Sequence, residues 1–327
     1  MLGFALPAVC RLLRSGSIDN CFFVVFRLGG PHLRLRLRAL PGREAAIAEA
    51  LRTDAQGFLD RTPSTKPIDP AKIAAGNAAI LASDRHETAA PVHPDNTFLP
   101  ASFEPETARY GGPELLPASL DFFGVSSAVA WELLSRQGAV TRASLLASAY
   151  RLLLRQALGF AARETELRTL LSYGLDRFPA AGPAIAAKGD AAFDARPETF
   201  QGLFRHELAA AATGHAADEA GRPAASRLGA AARGLSLAVA AATAHQRQDI
   251  GISQLHMTAN RLGLTNSEEA YLSRLLFRTA ESLFPSAKDP RTALQAVFEP
   301  AAEPAVQPPA LPDLLAQALA GLAELAL

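Results

Sequence analysis

Three runs of this chain carry side chains whose types and spacing could do chemistry. In the first, His32-Leu33-Arg34-Leu35-Arg36-Leu37-Arg38, basic and apolar residues alternate without a break. A two-residue period is that of a β-strand, with the leucines on one face and His32, Arg34, Arg36 and Arg38 on the other. Same-face neighbours on a strand lie roughly 7 Å apart, so the arginines form a cationic ladder: an anion-binding surface or a solvated edge. The second run spans Glu104 to Glu114 and sets Glu104, Glu106, Arg109 and Tyr110 just ahead of Gly111-Gly112. Adjacent glycines allow a sharp reversal and close approach to a ligand. Pro113 suits the first turn of a helix, whose N-terminus adds partial positive charge. The competing reading is a structural turn with an ordinary Glu/Arg pair. In the third run, His256 to Leu264, His256 and Asn260 are four apart and share a face of a helix. Imidazole exchanges a proton near neutral pH, although a lone helical histidine is more often packed than catalytic. Leu262-Gly263-Leu264 reads as a helix terminator, and Thr265 or Asn266 can cap a following helix that has Glu268 and Glu269 in its first turn.

The elements that must position these runs follow from periodicity and turn chemistry. A short N-terminal helix and a turn at Ser15-Gly16-Ser17 lead into an apolar, aromatic strand from Cys21 to Leu28. Gly29-Gly30-Pro31 joins it as a hairpin to the leucine/arginine strand, which Pro41-Gly42 ends. A helix is predicted over 43–59, with Ile47, Leu51 and Phe58 at helical spacing, then loops and a short helix over 61–100 and a strand over 97–104. Further helices are predicted over 113–123, 126–136, 141–158, 164–175, 201–212, 224–244, 250–260 and 267–284, with the Ala/Gly/Pro-rich stretch 178–200 as an extended connection. The fold class is therefore α+β: a β-containing, antiparallel N-terminal part (1–112) packed with a larger, mainly helical part (113–298) in a single domain. Residues 299–327 read as a Pro/Ala-rich linker ending in an amphipathic helix marked by Leu314, Leu315, Leu319, Leu322 and Leu325. That helix is either a tail on its own domain or a partner-binding element.

Composition narrows the chemistry. The 327 residues hold 32 Lys+Arg against 32 Asp+Glu, a formal charge of zero. Nucleic-acid affinity needs a broad basic field, so the ladder is a local feature and no direct nucleic-acid contact is expected. The 2 cysteines, Cys10 and Cys21, have no metal-ligand company and suit a reducing compartment. No apolar run reaches membrane-spanning length. The apolar stretch Leu2–Val9 precedes Arg11 and Arg14, the reverse of a secretion signal; a cytoplasmic protein without membrane contact is expected. The chain has no HExxH, paired Cys/His spacing, phosphate-binding glycine loop or GxSxG elbow. Neither metal nor cofactor is implied.

In their order and separation, the three runs resemble the C-terminal elimination domain of class I lanthipeptide dehydratases, a family also found as standalone proteins in thiopeptide-type bacteriocin biosynthesis. Its aromatic strand and Gly-Pro-His-Leu-Arg-Leu-Arg motif match Cys21 to Arg36. Its Glu-Pro-Glu-x-x-Arg-Tyr-Gly-Gly turn matches Glu104 to Gly112, and its His-Met-x-x-Asn-Arg-Leu-Gly segment matches His256 to Gly263. The resemblance spans roughly residues 10–285. It departs where the usual Arg-Tyr pair gives way to Phe26-Arg27-Leu28-Gly29-Gly30. An extra aromatic strand ahead of the first helix and the large glutamate-attaching module of full-length dehydratases are not in the sequence. The resemblance implies a lyase that β-eliminates glutamate from glutamylated Ser or Thr of a ribosomal precursor peptide. Arg34, Arg36, Glu106, Arg109 and His256 would be catalytic, and His32, Tyr110, Asn260 and Arg261 would bind substrate. The implied partners are the glutamylated precursor and a separate tRNA-dependent glutamylating protein, with homodimerisation left open. Two other readings stand beside it: a thiopeptide pyridine synthase performing a [4+2] cycloaddition on the same fold, and a non-catalytic module binding peptide or partner.

Overall fold

The alternation at 32–38 builds a strand. The computed structural model describes residues 3–65, 69–84, 92–135, 141–177, 182–212, 223–285 and 310–324. In it, β1 (Ile18–Phe26) pairs antiparallel with β2 (His32–Ala39). The register sets Phe26 opposite His32, Val24 opposite Arg34 and Phe22 opposite Arg36. Directly opposed residues of an antiparallel pair share a face, so the basic residues stand among Phe22, Val24 and Phe26. The leucines share theirs with Cys21, Phe23 and Val25. Gly29 and Gly30 both take positive φ, 84° and 104°, the left-handed region that a Cβ disfavours, and the Gly29 N–H donates to Asn77 Oδ1 at 3.0 Å.

These strands and twelve helices among the described residues give the expected α+β class. The chain divides into two compact units: Met1–Pro105 with Ala320–Leu327, and Glu106–Leu319. The first holds α1 (Ala5–Arg14), the hairpin, α2 (Glu44–Arg61) and α3 (Pro70–Asp84). Ile47, Leu51 and Ala55, one turn apart, are the buried stripe of α2. The strand predicted over 97–104 is absent; the segment is irregular. Pro100 has no N–H to give a ladder, and apolar residues do not alternate around it. Both cysteines are buried. Desolvation, with Cys10 alongside, pushes the Cys21 thiol far above its ordinary value.

The second unit comprises α4 (Leu116–Ser135), α5 (Arg142–Phe160), α6 (Glu164–Arg177), α7 (Gly182–Ala195), α8 (Pro197–Ala212), α9 (Pro223–Ala238), α10 (Ala244–Arg261), α11 (Asn266–Leu283) and most of α12 (Leu311–Glu324). Three expectations change. The two helices predicted between 113 and 136 are one, running through Gly124-Val125. It starts at Leu116, so Pro113 lies in the turn before it. Within the extended connection predicted over 178–200, residues 182–200 hold α7 and the start of α8, and 178–181 lie outside the described residues. Alanine is the strongest helix former and proline is at home in a first turn, so Pro183 and Pro197 mark helix starts. Gly159 lets α5 cross α9, since a Cβ there would collide with the Gly229 carbonyl oxygen. Residues 299–309 of the predicted linker lie outside the described residues.

Candidate active site

In the first unit, the hairpin assembles a basic and aromatic surface. His32 Nδ1 lies 2.8 Å from the Gly30 carbonyl, and Arg34 Nε donates to His32 Nε2 at 3.0 Å. A carbonyl only accepts and a guanidinium only donates, so the neutral ring with its proton on Nδ1 satisfies both. Burial lowers the His32 pKa; the Gly30 hydrogen bond opposes the shift, and Arg34, His93 and Arg36 add to it. The ring is a neutral brace for an arginine. The Arg34 guanidinium carbon sits 3.5 Å from the Phe26 ring centroid, a cation–π contact. Arg36 lies 5.7 Å from the Phe103 centroid, donates to the Leu35 carbonyl at 3.4 Å and has its pKa lowered by burial. Among the described residues, no carboxylate pairs with Arg36. Arg38 is different, bound to Asp19 at 2.6 Å at an exposed end of the strand.

In the second unit, Thr107–Tyr110 forms one 3-10 turn, and Gly111 and Gly112 reverse the chain at φ 81° and 106°. A Cβ on Gly111 would stand 2.7 Å from Leu115 and 3.2 Å from Ile250, so the double glycine here serves close packing against α10. Arg109 Nη1 donates to Glu106 Oε2 at 2.7 Å and its Nε to Ser253 Oγ at 3.0 Å. Ser253 is three residues before His256 on α10, one turn away on the same side. The turn is thus fastened beside the helix that carries the histidine. His256 Nδ1 lies 2.9 Å and 3.1 Å from the carboxylate oxygens of Glu269, on the first turn of α11. Thr265, as the sequence allowed, caps that helix in a reciprocal box with Glu268. Arg142 also binds Glu268; with the Thr265 bonds, this holds its carboxyl down at about 2.

Two residues expected to bind substrate are buried in packing contacts. Tyr110 is buried edge-on to Phe123, with ring centroids 5.3 Å apart. Arg261 is 1 % exposed, bonds to Ser126 Oγ at 3.0 Å and lies 4.5 Å over the same Phe123 ring. Burial pulls the Arg261 pKa down to about 9 despite the proximity of Tyr110. Both sequence runs therefore send one residue inward to hold the turn, α4 and α10 together. Asn260 stays half-buried. The sequence placed Glu269 in a first helical turn but not at His256: a first-turn acid on one helix shows no periodicity relative to a histidine on another.

The family model for the lantibiotic biosynthesis dehydratase C-terminal region matches residues 1–280. No curated protein matches the chain. Among solved structures, the fold is similar to the pyridine synthase TbtD from thiomuracin biosynthesis. That alignment covers 88 % of this chain and 94 % of the other at a TM-score of 0.69 and 19 % sequence identity.

Proposed function

This chain belongs to the lantibiotic biosynthesis dehydratase C-terminal family, and on that premise we propose that it is a carbon–oxygen lyase. It would remove glutamate from glutamylated Ser or Thr of a ribosomal precursor peptide and leave a dehydroamino acid. The observation that carries this reading is Arg36, a half-buried guanidinium with no carboxylate partner among the described residues. Keeping a charge in partial burial without a counter-ion costs stability, and the position suits an anion brought by substrate. A glutamyl ester offers carboxylates before and after bond cleavage. Arginine stays protonated and grips such groups bidentately.

In this mechanism, Arg34 and Arg36 bind the glutamyl adduct, with His32 bracing Arg34. Arg109, oriented by Glu106 and Ser253, stabilises negative charge that develops as the α-proton leaves. His256 moves the proton, and Asn260 on the same helix contacts the peptide. The chemistry uses no cofactor. The substrate of this step is a precursor that is already glutamylated; the partner proposed for the tRNA-dependent step is a separate glutamylating protein in the cytoplasm, and a homodimer is compatible with the reading. Similarity to a pyridine synthase supports one competing reading, in which the arginines bind an uncharged bis-dehydroalanine peptide for cycloaddition.

The two readings separate by mass spectrometry on purified full-length chain. A chemically glutamylated peptide is expected to lose glutamate, and Arg36→Ala and His256→Ala each slow that loss by about 100-fold. Intact glutamylated peptide, with a bis-dehydroalanine peptide cyclised instead, sinks the lyase reading.

A further inference from the structure

The carboxylate behind His256 gives that histidine a defined proton inventory. The Glu269 side chain is 2 % exposed and that of His256 14 %. An ionised carboxylate only accepts, so contact from both of its oxygens at 2.9 Å and 3.1 Å places a proton on Nδ1. Any proton taken up or released by the neutral ring then passes through Nε2. The aim of Glu269 is built into the start of α11. The Thr265 hydroxyl accepts from the Glu268 N–H at 3.3 Å, and the Glu268 carboxylate accepts from the Thr265 N–H at 2.8 Å. This box sets where the helix begins. Successive residues on a helix are about 100° apart, so Glu268 faces out to the cap and Arg142 while Glu269 turns inward to α10.

We propose that Glu269 is a positioning residue of the elimination, holding His256 as the Nδ1–H tautomer so that Nε2 accepts the α-proton of the substrate. The inference rests on the lyase reading. In the step, the Cα–H bond breaks and its proton binds Nε2. Its electron pair forms the Cα–Cβ double bond. The Cβ–O bond breaks, and its pair departs on the glutamate carboxylate. The imidazolium is stabilised by the Glu269 charge and returns its proton to water or to the departing carboxylate. Atoms and electrons balance without another reactant.

The test combines a spectroscopic and a kinetic readout on the full-length chain. With 15N-labelled histidine, and His256→Asn to assign the signal, the neutral His256 ring is expected to be protonated at Nδ1. In Glu269→Leu the proton is expected to move mainly to Nε2, whereas in Glu269→Gln, whose amide oxygen accepts the same bond, it stays. On glutamylated peptide, kcat is expected to fall about 100-fold in the Leu variant and about tenfold in the Gln variant, with KM changed less than about threefold. A wild-type ring protonated at Nε2, or Nδ1–H retained in Glu269→Leu, overturns the proposal. So does unchanged kcat in Glu269→Gln, which conserves shape and decides the matter if the Leu variant does not fold. If wild-type protein leaves the peptide intact, the catalytic use falls with the lyase reading. The tautomer measurement then still decides whether the pair exists.

Discussion

The two units hold their candidate catalytic cations in opposite ways. In the first, Arg34 lies against the Phe26 face and donates to a neutral histidine, and Arg36 lies toward Phe103 and donates to a carbonyl. In the second, Arg109 has its counter-ion within the same turn, in Glu106 at 2.7 Å. An aromatic face or a neutral acceptor orients a guanidinium without cancelling its charge; a carboxylate orients it and neutralises it. The hairpin therefore suits capture of an anion. The turn suits a cation held in geometry until charge develops nearby.

The contrast can be broken by substitution. The largest expected effect is at Arg36. Arg36→Met should reduce elimination about 100-fold or more, while the melting temperature stays level or rises, because a half-buried charge without a carboxylate partner is removed. A fall in melting temperature of several degrees would show that Arg36 is a structural cation after all. In the turn the balance is reversed. Gly111→Ala should destabilise the second unit by about 1–3 kcal/mol in urea unfolding, since its φ of 81° and the 2.7 Å approach of Leu115 both oppose a Cβ. The same change at Gly42, with φ 80° and open space, should cost about 1 kcal/mol. Equal losses would mean that packing on Leu115 and Ile250 is immaterial.

Acid should separate the units as well. His32 has its folded pKa below the ordinary 6.5, so the unfolded chain binds the extra proton first. Its contribution is present above pH 6.5 and fades as pH falls from there through the depressed folded value. Glu268 falls from 4.5 to about 2, so its contribution is present above pH 4.5 and is lost as pH falls towards 2. Amide hydrogen exchange is expected to show the hairpin loosening below about pH 6.5. Loss at the start of α11 should come only below pH 4.5, amounting to at most about 3 kcal/mol and disappearing in Glu268→Gln. The smallest effect belongs to Arg38. Its pair with Asp19 is about half exposed, and Arg38→Ala should change stability by less than about 1 kcal/mol and elimination by less than about threefold.

What could be read beforehand depended on whether the signal was local. The 32–38 strand and its glycine turn were legible because alternation and positive-φ glycines act within a few residues. The cap at Thr265 was legible for the same reason. The segment 182–200 was misread because Ala, Gly and Pro mark helices and loops alike; the second unit buries Gly189 of α7 against Arg274 of α11. That Tyr110 and Arg261 turn inward was not legible, because no spacing within a motif tells an inward-turned residue from its neighbour.

The sequence by itself determined the chemical inventory: a ladder of arginines, an Arg/Glu turn before two glycines, and a helical histidine with an acid-rich helix start after it. Each is set by backbone periods and turn conformations that act over short range. Only tertiary structure decided that Arg109 bonds to Ser253, that Arg261 is buried over Phe123, and that Glu269 stands at His256 Nδ1. Those contacts depend on how helices rotate and cross, and that is set by burial summed over whole elements.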